Sequence, residues 1–291
     1  MNDVQERELN VLKEVIKICD KYHLTYFAIG GTCLGAVRHK GFIPWDDDID
    51  IGMPRPDYEF FRNRLYRELP EWIHKLDCDM TSHHAFTFMK VHDSRTTFIE
   101  NYAIGLTERY TGAFVDIMPV DGFPGDEKEQ NRILKKQKIL TRLNSRVRPA
   151  RKSQYTKTFK TLVKLGIRLV LQIFFSYTHF SDKIMAEGFK TSYYDSPYCL
   201  FTWRCGRRYK DNHRFFFNRA WFAETVEMPF EDMMLKMPVG YDEYLTQDYG
   251  DYMKMPNEEE QVSRHHVYVM DMEKPCSFYA QRDKGSRKLF L

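Results

Sequence analysis

IPWDDDIDIGM (Ile43–Met53) is the stretch on which the fold and the chemistry of this chain turn. It reads as a β-strand, and side chains on a strand alternate between two faces. Asp46, Asp48 and Asp50 then share one face. Asp47, Ile49 and Ile51 share the other, where the isoleucines suit a core. Three carboxylates on one face repel each other unless something neutralises them. A hard divalent cation does so, and Mg2+ prefers a few carboxylate oxygens together with phosphate oxygens. An acidic run by itself is more often a loop or a solvated strand edge. The Ile-x-Ile alternation and a glycine turn upstream argue for a site.

That turn is Gly30-Gly31-Thr32, with Gly30 sixteen residues before Asp46. TYFAIG (Thr25–Gly30) is a short apolar strand running into it, and TCLGAVRHKG (Thr32–Gly41) follows as a helix. Paired glycines let backbone N–H groups approach a ligand closely, and a helix N-terminus attracts anions. A lone Gly-Gly is usually only a turn. Joined to a helix and then an Asp-x-Asp strand, it pairs a phosphate cradle with a metal face. A third carboxylate is expected on a neighbouring strand. Phe114-Val115-Asp116-Ile117-Met118 supplies one in an apolar run, where burial is costly unless the group is paired or ligates metal. Such a set suits phosphoryl or nucleotidyl transfer.

Helices are expected over Asp3–Tyr22, Asp57–Leu69 and near Tyr241–Tyr252, and strands over Ala85–His92, Thr96–Glu100 and Ala113–Met118. PVDGFPGD (Pro119–Asp126) is turn-rich and reads as a subdomain edge. The 291 residues, 43% hydrophobic, can bury a substantial core, which excludes wholesale disorder. Net charge is +3, but thirteen Lys/Arg and no Asp or Glu lie between Gln130 and Ser181, leaving −10 elsewhere. Two basic helices, Glu127–Arg148 and Tyr155–Tyr177, fill that segment. In the second, Leu162, Leu165, Leu169 and Ile173 form an apolar stripe interleaved with Lys160, Lys164 and Arg168. It can dock peripherally on anionic lipid through residues 130–180, or pack on the core with a solvated basic face. No nucleic acid is expected, because no nucleic-acid-binding signature accompanies the charge. Six scattered cysteines without a C-x-x-C pair and a start without a secretory signal indicate a cytoplasmic protein, with peripheral contact at the inner face of the cell membrane.

GGTCLGAVRHKGFIPWDDDIDIGMPRPDYEFF (Gly30–Phe61) resembles the signature of the LicD family of phosphotransferases, within the nucleotidyltransferase-fold superfamily and related to fukutin-type transferases. The likeness continues through KVHDSRTTFIE (Lys90–Glu100), FVDIMPVDGFP (Phe114–Pro124), YDEYLTQDYGDYMKMP (Tyr241–Pro256) and Arg264-His265-His266. The chain departs from it at Phe230-Glu231-Asp232, where relatives commonly carry Phe-Glu-Gly. The resemblance implies an α+β fold: a nucleotidyltransferase-like mixed sheet flanked by helices. Residues 1–125 would be the catalytic core, 126–190 a basic helical insertion, and 191–291 a mixed C-terminal portion completing the site.

It also implies Mg2+-dependent (or Mn2+-dependent) transfer of phosphocholine, or a related alcohol phosphate, from CDP-choline or another CDP-alcohol. The acceptor is a hydroxyl of a cell-surface glycan or teichoic-acid precursor, free or lipid-linked, and CMP is released. Asp48 and Asp50 match the metal-binding pair, with Asp46 beside them and Asp116 as a further ligand or the base. Gly30, Gly31, Thr32, Arg38, Lys90 and Arg95 are the candidate phosphate contacts. His39, His265 and His266 are candidates for the acceptor pocket or its support. A choline head group would be recognised by aromatic faces, for which Trp45, Trp203, Trp221 and the Tyr193-Tyr194 pair are candidates. The same acidic site would also serve a nucleotidyltransferase that releases pyrophosphate, and a decayed site would leave a basic, membrane-associated adaptor.

Overall fold

The structure is a computed structural model that describes residues 1–77, 86–103, 107, 110–147, 159–176, 178–206, 214–263 and 265–284. Of residues 159–162, 164, 165, 206 and 284 it describes the backbone element alone. Arg264, the chain 148–158 and the side chains of Lys160, Leu162, Lys164 and Leu165 therefore lie outside the described parts. In order, the elements are α1 (Asp3–Lys21), β1 (Phe27–Ala28), α2 (Gly30–His39), β2 (Ile49–Pro54), α3 (Arg55–Asn63), β3 (Ile73–Leu76), β4 (Met89–Asp93), β5 (Thr97–Glu100) and β6 (Phe114–Phe123). Then come α4 (Glu127–Val147), α5 (Phe159–Phe174), α6 (His179–Gly188), β7 (Tyr198–Leu200), β8 (Phe216–Asn218), β9 (Thr225–Phe230), β10 (Met233–Pro238), α7 (Tyr241–Tyr249), β11 (Val267–Asp271) and α8 (Cys276–Lys284).

The fold is α+β. One mixed sheet runs β1-β2-β6-β4-β3, and β7 then β8 extend it from the distal half of β6. β2 and β6 run parallel; the other pairs of this sheet are antiparallel. Parallel neighbours are expected to be buried on both faces. Accordingly all ten residues of β6 are buried, and Ile49, Ile51 and Met53 of β2 are fully enclosed. The C-terminal part is hydrogen-bonded into this body: β7 pairs with β6, and β11 pairs with β5.

β2 begins only at Ile49, six residues later than the alternating pattern suggests. Pro44 lacks an N–H for a ladder, and Asp46 N–H closes a turn on Ile43 O at 2.9 Å. Asp46–Asp48 are thus an extended lead-in rather than strand. Helix α1 fastens it: Asn2 and Gln5 form a capping box, and Gln5 Nε2 donates to Ile43 O and Asp46 O.

The turn-rich Pro119–Phe123 is not an edge but the second half of β6. Pro119 falls where β4 has ended and β7 has not begun, so its missing donor opens no gap on that side. The Phe230-Glu231-Asp232 departure sits at the two-residue turn between β9 and β10. Glu231 is left-handed there (φ 54°), and its Oε1 accepts from Phe42 N–H at 2.9 Å, tying the hairpin to the end of α2.

A buried ion pair locks α3 to β6. Arg55 donates to both oxygens of Asp121 (2.6 and 3.0 Å) and to Glu59 Oε1 (3.0 Å), and the Thr202 hydroxyl also donates to Asp121. Removing one partner strands a buried charge. Arg55→Met is expected to cost about 3–5 kcal/mol in urea unfolding, and adding Asp121→Leu to recover much of that loss.

Candidate active site

Register alone gathers the central charges. Asp50 on β2 stands opposite Asp116 on β6, and Asp116 stands opposite Lys90 on β4. Lys90, only 2% exposed, reaches Asp116 Oδ1 at 3.0 Å and Glu100 Oε2 at 3.8 Å, with its ammonium over the Phe114 ring. Asp46 and Asp48 enter from the lead-in to β2.

The glycines face these carboxylates as the first two residues of α2. A Cβ on Gly31 would lie 2.3 Å from Asp46 Oδ2, and one on Gly30 would lie 3.1 Å from Asp50 Oδ2. Gly30 also has φ +57°. Only glycines let the positive helix end come so close to acid. Thr32 Oγ1 accepts from Asp50 N–H at 2.8 Å, so its hydroxyl clasps β2. Gly30 N–H donates to Tyr244 Oη of α7 at 2.9 Å.

His265 closes the other side. Its Nδ1 lies 2.8 Å from Asp47 Oδ1, and Ser263 Oγ donates to Asp47 Oδ2 at 2.6 Å. Its Nε2 lies 3.7 Å from Asp48 Oδ2 and 3.9 Å from Glu100 Oε1. Beneath the lead-in, Glu8 of α1 is fully enclosed, and neither carboxyl oxygen has a hydrogen-bond partner among the described residues. Burial, then the charges of Asp48 and Asp47, hold it well above the usual carboxylate range.

The same two causes act on the cluster itself. Burial and then Asp48 and Asp47 push Asp46 up to about 8. Burial raises Asp116 to about 6 against the opposing pull of Lys90. Asp50 is driven well up by burial, Asp48 and Asp116. Burial alone would lower His265, but Asp47, Asp48 and Glu100 outweigh it and carry it to about 9. These residues fit a hard cation. Asp47, Asp48 and His265 each offer an atom within 4.8 Å of the others, and Asp50 Oδ1 is buried without a hydrogen-bond partner among the described residues. Oxygen-rich donors with excess negative charge are the chemistry that Mg2+ or Mn2+ satisfies.

Two cavities meet at the cluster, and Asp48, Asp50, Trp203 and His265 line both. The smaller, about 290 Å3, has Phe86, Phe88, Met118 and Trp203 as apolar walls, with Lys90, Glu100 and Asp116 among its polar lining. The larger, about 730 Å3, is bordered by Gly30, Gly31, Asp46, Arg38, Trp45 and Lys254 among others. The structure thus brings together Asp46, Asp48, Asp50, Asp116, Gly30, Gly31, Lys90, Arg38 and His265. Thr32 lies just behind them.

It does not bring in Arg95, which pairs with Asp93 (2.8 Å) and covers Trp72 beside a separate groove along α1. His39 packs edge-on to Trp45 next to Arg38, and His266 is exposed, with its carbonyl accepting from Asn101 N–H. Among the aromatic candidates, Trp203 and Trp45 line the cavities. The Tyr193 hydroxyl is instead bound to Phe222 O, and Trp221 packs on the core.

Sequence reasoning missed Asp47, Glu8, Glu100, Phe86 and Phe88. A lone acid ending the apolar run TTFIE was the available signal for Glu100; Glu8 had none beyond its place on the apolar side of α1.

Carboxylates raised in the folded state stabilise fully below their unfolded pKa and lose that contribution as pH climbs through the folded one. Metal-free protein should therefore lose stability from about pH 4 to 8, with His265 adding a loss of the same sign up to about 9. Relieving one charge by Asp50→Asn should raise the metal-free melting temperature at pH 8 by about 2–5 °C. Mg2+ or Mn2+ should stabilise the parent more at pH 8 than at pH 5, and Asp50→Asn hardly at all. Calorimetric scans with and without metal measure all three.

Comparison with known proteins identifies the family. Residues 23–154 match the family described as LicD/FKTN/FKRP, nucleotidyltransferase domain. The lipopolysaccharide cholinephosphotransferase LicD of Haemophilus influenzae is 31% identical over 258 residues, covering 88% of this chain and 92% of that protein. An uncharacterized protein of Rickettsia typhi is 42% identical over 55 residues, covering 19% of this chain and 18% of its own length. The shared nucleotidyltransferase segment contains the glycine turn, Asp46 to Asp50, Lys90 and Asp116. With a relative matched along nearly its whole length, the chain belongs to the LicD family of phosphotransferases.

Proposed function

We propose that the protein transfers phosphocholine, or a related alcohol phosphate, from a CDP-linked donor to a hydroxyl of a cell-surface glycan precursor, releasing CMP. The observation that carries this reading is the pairing of Asp50 with Asp116 across parallel strands, faced by the Gly30-Gly31 helix end, where two cavities join. The similarity to a cholinephosphotransferase supports the choice of head group. So do the walls of the smaller cavity. Phe86 and Phe88 stack at 5.1 Å, Trp203 stands edge-on to Phe88, and Glu100 lines the same cavity. A quaternary ammonium has no hydrogen-bond donor and is held by ring faces with a carboxylate nearby.

The larger cavity then takes the cytidine nucleotide, with Arg38 and Lys254 at its rim. Asp48 and Asp50, with Asp46 and Asp116 beside them, would hold Mg2+ or Mn2+; when bound it neutralises charge on the diphosphate. The acceptor oxygen attacks the phosphorus that carries choline, and the bond to the CMP oxygen breaks. Asp116, held by Lys90, takes the hydroxyl proton or joins the cation's ligands. His265 braces the lead-in through Asp47. On this reading the protein works at the cytoplasmic face of the cell membrane, where a CDP-linked donor and a lipid-linked acceptor would meet.

Asp48→Asn and Asp50→Asn should each lower CMP release from CDP-choline by about 100-fold or more, while the fold persists. Near-full release by either variant, or pyrophosphate from CTP as the product, would defeat the reading. Offering CDP-choline, CDP-ribitol and CDP-glycerol in parallel identifies the cargo. In Asp116→Asn, lost turnover with intact Mn2+ binding marks a base, whereas loss of both marks a ligand.

A further inference from the structure

From Val163 onward, helix α5 presents apolar side chains outward. Val163, Ile167, Leu169, Val170, Ile173 and Phe174 are all exposed, Ile173 at 76% and Phe174 at 73%. At about 100° per residue, Val163, Ile167, Val170 and Phe174 fall in an arc of about 60°, which Ile173 and Leu169 widen to about 160°. The opposite side holds the helix to the body: Leu171 and Phe175 pack against Leu140, Val147, Phe180 and Ile184. Arg168 Nε donates to Arg146 O, and Gln172 Nε2 donates to Val147 O. The helix is therefore fixed in place with a continuous apolar stripe facing solvent. Monomeric proteins rarely leave such a patch without use.

The charge around the stripe states what it meets. No Asp or Glu occurs between Gln130 and Ser181, against thirteen Lys/Arg. Arg142 and Arg146, both exposed, stand on the end of α4 against which α5 packs. Apolar side chains on a segment of chain rich in cations and without acids match an anionic bilayer surface. At 16 residues, α5 is about 24 Å long, short of a hydrocarbon core, and none of the described helices is long and apolar enough to cross a membrane. It would lie in the interface. The contact also has a route to the chemistry, because α4 lends Thr141 and Asn144 to the wall of the smaller cavity.

We propose that α5 seats the protein on an anionic lipid surface, with Ile167, Val170, Ile173 and Phe174 in the headgroup–acyl boundary. The lipid-linked form of the acceptor is part of the transfer reading above; the docking itself needs only the surface described here.

The test uses the full chain without donor, on vesicles of phosphatidylcholine with or without phosphatidylglycerol. Cosedimentation should be about tenfold or more stronger with phosphatidylglycerol and should weaken as salt rises. Ile173→Ser combined with Phe174→Ser should weaken it by about tenfold or more, yet leave the melting temperature and CMP release to a water-soluble acceptor unchanged. Phe174→Trp should show blue-shifted emission on the anionic vesicles. Equal affinity for neutral vesicles, no binding at low salt, or binding untouched by the double substitution would overturn the proposal. So would a dimer in sedimentation equilibrium that the double substitution dissolves, since a second copy would then own the stripe. Lost CMP release with vesicle binding intact would instead count against the transfer reading alone.

Discussion

Placing several carboxylates together inside a low-dielectric fold is the constraint from which the rest of this structure follows. Burial raises the pKa values of Asp46, Asp48, Asp50 and Asp116; the charge of Asp48 pushes Asp46, Asp50 and Asp116 up further, Asp116 and Asp46 add to the rise at Asp50, and Glu8 adds another buried acid beneath them. Such an arrangement opposes folding. The fold answers it with fixed positive features: the N-terminus of α2 behind Gly30 and Gly31, Lys90 between Asp116 and Glu100, and His265 between Asp47 and Asp48. Each partly offsets the repulsion, and the remaining excess of negative charge is the kind that a hard cation would neutralise.

Much of the architecture serves to hold those features still. The parallel β2–β6 pair sets Asp50 against Asp116 by register, independently of flexible side chains. Elements distant in sequence then converge: Gln5 pins the lead-in carbonyls, Tyr244 of α7 holds Gly30, and the β11–β5 pairing delivers the segment that ends in Ser263 and His265. Arg204, a buried residue that lines the larger cavity, is itself fixed by a bidentate pair with Asp248 at 2.7 Å. A site assembled from both ends of the chain explains why the C-terminal part is hydrogen-bonded into the main body.

The sheet, the glycine turn and the central acids were legible because each has a local signature: alternation, paired glycines, or an isolated acid in an apolar run. Asp47 was misassigned for a definite reason. Alternation decides which face a residue occupies only within a strand, and the strand starts at Ile49, so the parity that places Asp47 with the isoleucines does not hold. Pro119 and Gly122 looked like turn residues because a break in the partners of β6 is invisible in its own sequence. Arg95 lies in a block shared with the family, yet the turn after β4 sends it to Asp93 and Trp72. Glu8, Glu100 and Phe88 reach the site through packing between distant segments, which no local pattern encodes. The family resemblance supplied the identity of the chemistry; the register and the glycine contacts supply its physical basis.

Anomalous diffraction from crystals grown with Mn2+ and CDP-choline examines the acidic face most directly. A manganese peak within coordination distance of Asp48 and Asp50, with a donor phosphate oxygen on its far side, is the predicted result. A bound nucleotide with no metal at those oxygens, or manganese held only elsewhere on the molecule, would contradict the account.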